Sequence, residues 1–511
     1  MVNLKLAITS ILFPIISLVG TASAQNTIQP YPLLTGETSK VFMVKANGKE
    51  VPVSFYKGIH YIRYGQKGKA RLEVNFRSLD SLKMSPQHVF TKTKTGVSID
   101  LEKPGYYVLS AGQAEKLFIL SDAPDSFTEE EKKDLVPVTG FNVDVSGKKL
   151  STKEIQRAID ETAADRKILF FGPGVYKTGT LTIGSNARIY LSEGCLIDGS
   201  FDTSHYVIDK GFKEANKLKD GKAFSDNGEH MTFSRLILVE DASNVKIWGK
   251  GIINGNGAEV RKTGKPANLI RIRNSKNVLI DGICSFDPAA WNTHILYSDS
   301  VTIRNVKLIN DLNVPNTDGF DPDASRHVLI QHCFAFCSDD NVAIKTSNNS
   351  NLLRDCEDIK VEDCLFLTKK SALKVGTETK AAVMRDIVFQ NNYIAMADRG
   401  LVLYCYDGAR FENVQFAGNY FETGFSDYEK KAIHFVIKER GGRGQIKDVL
   451  IRDCYFSPQF HSAITILGLD KDHTIENLVF DNVSIMGKKV QDLKNLNIQQ
   501  NGFVGNVELK K

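Results

Sequence analysis

The chain lacks a paired Cys-x-x-Cys anywhere in its 511 residues, and its eight cysteines are spread thinly between Cys195 and Cys454. That dilution argues against a small disulfide-stapled scaffold and against a cysteine zinc site. Buried free thiols are the expectation. Charge of one sign is also scarce: a net +5 over a chain this long gives no reason to expect a nucleic-acid partner, and is compatible with an acidic polysaccharide. Beyond the first 24 residues no apolar run is long enough to span a bilayer.

Those first residues read as an export signal. Lys5 precedes an apolar stretch from Leu6 to Val19, and Ala22-Ser23-Ala24 is a small-residue cleavage site. The first cysteine is Cys195, so a lipid-anchoring cysteine after the site is missing. The expectation is an exported, monomeric chain cleaved near Ala24, periplasmic or extracellular.

What is abundant is a repeated phrase. "NVKI" at 244 returns as "NVLI" at 277, "SVTI" at 300, "HVLI" at 327, "DIKV" at 358, "DIVF" at 386, "NVQF" at 413, "DVLI" at 448 and "NLVF" at 477. Each alternates apolar with variable residues, the signature of a half-buried strand, and recurrence at this period marks a solenoid whose coils bury their apolar faces on one another. Helical repeats are set aside, because the segments are short, rich in Val, Ile and Phe, and punctuated by Asn, Asp and Gly. The predicted fold is all-β, a right-handed parallel β-helix over 139–511. Cys333, Cys364 and Cys454, with Asn392 and Asn419, hold one position in their phrases and are predicted to form an inward ladder.

Residues 151–164 read as a short helix with Ile155, Ala158, Ile159 and Ala163 on one face, capping the first coil. Residues 25–125 alternate and turn at Asn-Gly, Lys-Gly and Pro-Gly, which predicts a small antiparallel β-sandwich. A charged linker follows over 126–138, with Thr128 and Glu131 spaced as a capping box. Stretches 204–234 and 423–445 are read as loops at the ends of a groove.

The stretch "NTDGFDPDASRHVLIQHCFAFCSDD", residues 316–340, crowds five aspartates into a mildly basic chain. Asp318 and Asp339 are about one coil apart, and strands on adjacent coils lie about 4.8 Å apart, so Asp318, Asp339 and Asp340 are expected to share a site. Like charges at such a site raise one another's pKa, which suits a glycosidase that needs one protonated and one ionised carboxyl, about 6.5 to 9.5 Å apart for inversion. A calcium site and turn chemistry are the other readings of the same spacing.

"PNTDGFDPDASRHVLIQHCFAFCSDDNVAIKTS", together with "WNTH" at Trp291–His294 and "GPGVYKTGTL", resembles glycoside hydrolase family 28, the polygalacturonase-like enzymes. The resemblance covers the organisation of about 138–485 and is specific over about 290–350. It implies an inverting hydrolase that needs no cofactor or metal, with Asp339 as general acid and Asp318 and Asp340 activating water. It further implies that Asn316 orients the sugar and that Lys345 places a charge beneath the acidic group. Trp291, His294, Lys374, Arg399 and Tyr404 are the remaining candidates for binding saccharide. Arg443 and Tyr406 are candidates on the same footing; solvated charge is the alternative for Lys345, Lys374, Arg399 and Arg443, and core packing for Trp291, Tyr404 and Tyr406. Asp321 and Asp323 are read as shaping the turn after Gly319.

Two family elements are missing. Ser371 stands where a Gly-His-Gly histidine is expected, and Val402 and Tyr404 stand at the charged positions of an Arg-Ile-Lys triplet. The hydrolytic carboxylates are present while two uronate-gripping features are not. A dextranase-like neutral α-glucan hydrolase, a β-helix polysaccharide lyase and a non-catalytic carbohydrate-binding protein are the alternatives.

Overall fold

The computed structural model describes residues 26–510 apart from 77–80, 112–114, 208–233, 265–266, 348–353 and 426–427. The expected signal segment and most of the 204–234 stretch lie outside the described residues. Among the described residues no helix is long and apolar enough to cross a membrane.

From Leu135 onward the chain winds through three sheets of 13, 12 and 11 strands, parallel throughout except for the closing antiparallel pair Ser484–Ile485 and Lys488–Lys489 in the second. All nine repeated phrases fall in the first sheet, where Val245, Val278, Val301, Val328, Ile359, Ile387, Val414, Val449 and Leu478 stand in one inward register row. The first residue of every phrase has a positive φ, between 53° and 59°. Asn and Asp tolerate that left-handed conformation better than other side chains, which is why they open seven of the nine phrases. Their amides also bridge coils, as from Asn277 to Asn244 at 2.8 Å and from Asn477 to Asp448 at 2.8 Å.

A second left-handed bend, at Asn305, His332, Asp363, Asn391, Asp453 and Asn482, turns each coil into the second sheet. The residue after it points inward. There the predicted ladder forms: the Cys333 amide donates to Cys364 Sγ at 3.3 Å, the Cys364 amide to Asn392 Oδ1 at 3.1 Å, and the Asn392 amide to Asn419 Oδ1 at 3.1 Å. All eight cysteines are buried free thiols. The helix Thr152–Ala164 covers the first coil with Ile155, Ala158 and Ile159. Ala163, partly buried, packs against the same core, and Thr162 joins the buried face with its hydroxyl donating to the Ala158 carbonyl at 2.7 Å.

The N-terminal region forms two sheets around a core that includes Phe42, Ile62, Leu72, Val74, Ile99 and Leu117. One pairing departs from the antiparallel expectation: Ile59–Lys67 and Glu115–Asp122 run parallel. The linker contains the helix Glu129–Lys133 with the capping box in place. Its end is already solenoid, because Leu135–Pro137 pairs with Ile168–Phe171 as the first strand of the first sheet. The 423–445 stretch is corrected as well, since most of it is the strand Lys431–Gly442 in the third sheet.

The sandwich packs its second face on the outer face of the second sheet. Phe118 lies 5.0 and 5.1 Å from Phe334 and Phe336, and Lys307, fully buried, is held by Asp122 at 2.8 Å. Removing residues 26–125 would strip that apolar face and leave Lys307 without its counter-ion. Such a truncated chain is expected to aggregate on expression, and a soluble, monomeric product in size-exclusion chromatography would contradict this interface.

Candidate active site

The site forms where each coil turns from the second sheet into the third. Asp318 lies just before the strand Phe320–Asp323, and Asp339 and Asp340 just before Val342–Thr346, its neighbour in the third sheet. Gly319 lets the two coils close on each other: a Cβ there would come within 2.4 Å of the Asn341 carbonyl oxygen. Its amide donates instead to the Asp340 carbonyl at 2.8 Å. Asn310 holds the Thr317 carbonyl at 2.8 Å, and the Thr317 and Ser338 hydroxyls pair across the coils at 2.7 Å. With the turns fixed, one oxygen from each of Asp318, Asp339 and Asp340 lies within 4.8 Å of the others.

The three carboxyls are not equivalent. Burial and the neighbouring charges of Asp318 and Asp340 push Asp339 up to about 7. Burial also acts on Asp340, but Lys374 at 2.6 Å, Arg399 at 3.9 Å and the Ser371 amide at 2.8 Å overcome it and hold that carboxyl well below the usual range. Asp318 is raised by burial, with Lys345 at 3.2 Å opposing and Asp340 adding to the rise. The trio therefore presents one proton donor, one firm anion and one carboxylate that accepts a proton more readily than Asp340 does.

Asp321 and Asp323 are corrected from turn residues to buried strand residues. Asp321 shares the Lys345 ammonium at 3.1 Å and is raised well above its ordinary value by burial. Asp323 accepts the Ser347 amide at 2.8 Å and pairs with His294 Nε2 at 2.9 Å, and burial raises it to about 6. The spacing Asp-Pro-Asp looked like a bend, yet both side chains lie in a strand whose neighbours supply Lys345, His294 and Ser347.

Lys345 is not a solvated strand residue. It is 3 % exposed, with its ammonium 3.6 Å from the centre of the Trp291 ring. His294 is 1 % exposed and is corrected from a sugar contact to a partner of Asp323 and of the Trp291 ring, 4.9 Å away. Trp291 is half-buried and stands over Lys345. Asn316, half-buried and left-handed at φ 57°, accepts from Arg261 at 3.0 Å.

Beyond Asp340 the third sheet carries a polar cluster. Tyr404 stacks on Tyr406 at 5.1 Å and shares a hydrogen bond with His434 Nδ1 at 2.7 Å, and Arg399 reaches the Tyr404 hydroxyl at 3.4 Å. Lys374, Val402 and His434 share a register row. His434 and Glu429, 2.9 Å apart, escaped sequence reasoning, and only the register of the strand Lys431–Gly442 brings them here. Burial, with Lys431 and Arg399 nearby, lowers His434 to about 3. Arg443 is exposed and pairs with Glu439 and Asp470. The positive charge that offsets the trio comes from Lys345 on Asp318 and from Lys374 and Arg399 on Asp340.

The sequence pattern of the glycosyl hydrolases family 28 matches residues 211–502, more than half of the chain and the whole of this site. The chain belongs to glycosyl hydrolases family 28. A probable polygalacturonase of Vitis vinifera is 25% identical over 214 residues, which are 39% of this chain and 42% of that one. The chain thus spans less than half the length of that relative. Among solved structures, an exopolygalacturonase from Thermotoga maritima superposes with a TM-score of 0.58 at 20% identity, covering 76% of this chain and 91% of its own. A family 28 exopolygalacturonase from Yersinia enterocolitica covers 95% of this chain and 98% of its own, with a TM-score of 0.53 at 16% identity. These likenesses establish the fold as the right-handed parallel β-helix.

Proposed function

We propose that this family 28 chain is an exported hydrolase that cleaves glycosidic bonds of a pectin-type plant polysaccharide by a single displacement with inversion. The observation that carries the proposal is the asymmetric trio. Asp339, neutral below about pH 7, donates its proton to the leaving glycosidic oxygen. A water held between Asp318 and Asp340 attacks the anomeric carbon and passes its proton to Asp318, because Asp340 is fixed as an anion by Lys374, Arg399 and the Ser371 amide. Lys374 and Arg399, with Lys431 and Lys438 further along the same sheet, favour an acidic sugar in the groove. A polysaccharide is the partner, and a monomer is the expected assembly.

The oxygens of the trio approach more closely than the 6.5–9.5 Å between carboxyl groups usual for inversion. A covalent sugar intermediate would need a carboxylate free to reach the anomeric carbon. Asp318 and Asp340 are 4 % and 2 % exposed and tied to lysines, so they reach the sugar through water. Proton NMR of the first product formed is therefore expected to show the anomer opposite to that of the bond cleaved. Retention would replace the water mechanism with a covalent one.

Activity should also follow the Asp339 proton. The acid form of Asp339 and the ionised form of Asp318 are the working forms, so kcat/KM is expected to fall about tenfold per pH unit above about pH 7 and to fall again at acid pH as Asp318 takes up its proton. Reducing-sugar release by the mature chain from polygalacturonate, rhamnogalacturonan and dextran tests the substrate class. Release from polygalacturonate or rhamnogalacturonan is expected, and release from dextran alone would move the reading to a neutral α-glucan hydrolase.

A further inference from the structure

We propose that the cleft between the N-terminal sandwich and the second sheet is a second saccharide-binding site, holding a stretch of polymer away from the bond being cleaved. Over Phe118, Phe334 and Phe336 the contact between the two units is closely packed. Further along the solenoid it opens into a cavity of about 390 Å³ whose walls include Lys83, Gln87 and His88 from the sandwich and Tyr420, Tyr455 and Gln459 from the solenoid. That volume is within the range of small-molecule sites, which favour domain junctions.

The solenoid wall is a row of three tyrosines on successive coils. Tyr393 stacks on Tyr420 at 4.8 Å, and Tyr420 on Tyr455 at 5.0 Å, each pair tilted by 14°. Their ring faces cover one another, so the row presents edges and hydroxyls, at a spacing comparable to one sugar ring of an extended glycan. Tyr393 spends its hydroxyl on Glu422 at 2.6 Å. The hydroxyls of Tyr420 and Tyr455 make no hydrogen bond among the described residues. Glu422 is 3 % exposed and forms an ion pair with Lys83, which also donates to Gln459 at 3.1 Å.

Charge in the cleft is thus balanced, while hydroxyl and amide groups are left to donate and accept. With Lys83 committed to Glu422 the cleft has no spare cation for a phosphate or a uronate carboxylate, and it is the hydroxyl face of a glycan that meets complementary groups. The position fits the same ligand. Tyr393, Tyr420 and Tyr455 lie two, three and four coils beyond the one carrying Asp340, about 10 to 19 Å along the axis. Gln459 stands at the second-to-third turn, the edge that also carries Asp339 and Asp340. A chain held there is tethered close to the catalytic groove, which raises its effective concentration for cleavage.

The identity of the polymer rests on the proposed function, but the site does not. The first test is affinity electrophoresis of Asp339→Asn, which leaves the ligand uncut, through gels containing polygalacturonate, rhamnogalacturonan or dextran. The Tyr420→Phe/Tyr455→Phe variant, which keeps the stacked rings, and Gln87→Trp, which fills the mouth of the cleft, are built on that background and on the active chain. Retardation in at least one gel, weakened about tenfold by the paired phenylalanines through two lost hydrogen bonds, is expected. On the active chain the same changes should raise KM for the polymer by a similar factor, leaving kcat and the KM of a trisaccharide unchanged. No retardation in any gel, or retardation and polymer KM both unaffected by both variants, would overturn the site. Failure of the active chain to cut any of the three polymers would instead count against the proposed function, while the gels still decide the cleft.

Discussion

Replacing Asp339 by asparagine is expected to lower kcat by about 10²- to 10⁴-fold while the thermal unfolding midpoint holds or, near neutral pH, rises. Asparagine keeps the size of the side chain and can still accept the Asp340 amide, now 2.9 Å from Asp339 Oδ1, so the turn has no reason to open. What it removes is a proton, held up to about pH 7 by burial and by two adjacent carboxylates. The loss should be greatest on substrates with poor leaving groups and small on an aryl glycoside whose leaving group departs without protonation. An asparagine variant with unaltered kcat on the polymer would remove Asp339 from the acid role, and with it the proposed mechanism.

Lys345→Met should be nearly as damaging, through stability as well as catalysis. The ammonium stands 3.2 Å from Asp318 and 3.1 Å from Asp321, and its removal strands two buried carboxyls without their cation. Breaking a buried pair in this way costs about 3–5 kcal/mol. Both acids already sit above their ordinary value of 3.8 and would rise further, so the folded variant binds more protons than the unfolded chain does. Stability of the variant relative to the parent should therefore fall as pH rises from about 4 toward neutrality. Urea unfolding at pH 4.5 and 7 measures this. A neutral Asp318 no longer accepts the proton of the attacking water, so kcat should fall at neutral pH too. Equal midpoints for parent and variant at pH 7 would show that Lys345 is not the counter-ion described.

Much of the architecture is legible because a solenoid writes its geometry into the sequence one coil at a time. Val278, Val301 and Val328 recur in register since each must fill the same inward position, and Asn277 or Asp358 opens its phrase since the backbone there is left-handed. Cys333 and Cys364 align for the same reason. The trio was readable too, because Asp318 and Asp339 differ by one coil and stacking supplies the third dimension.

Other features depend on neighbours far away in the chain. Asp321 and Asp323 look like bend residues until Lys345, Ser347 and His294 are placed around them. His434 and Glu429 belong beside Tyr404 only because Lys431–Gly442 continues the third sheet, where a polar, glycine-containing stretch reads as a loop. The sandwich shows its own core in the sequence but not the face it turns to the second sheet, since Phe118 and Lys307 find their partners about two hundred residues away.

By itself, then, the sequence determined what repeats: the strand phrases, the left-handed bends between them and the one-coil spacing of the carboxylates, all of which follow from local backbone preference and a fixed rise per coil. Only the tertiary structure decided which carboxyl holds a proton, which lysine answers which aspartate and where the sandwich docks, because burial and charge pairing are set by groups that share a place in space and no pattern in the chain.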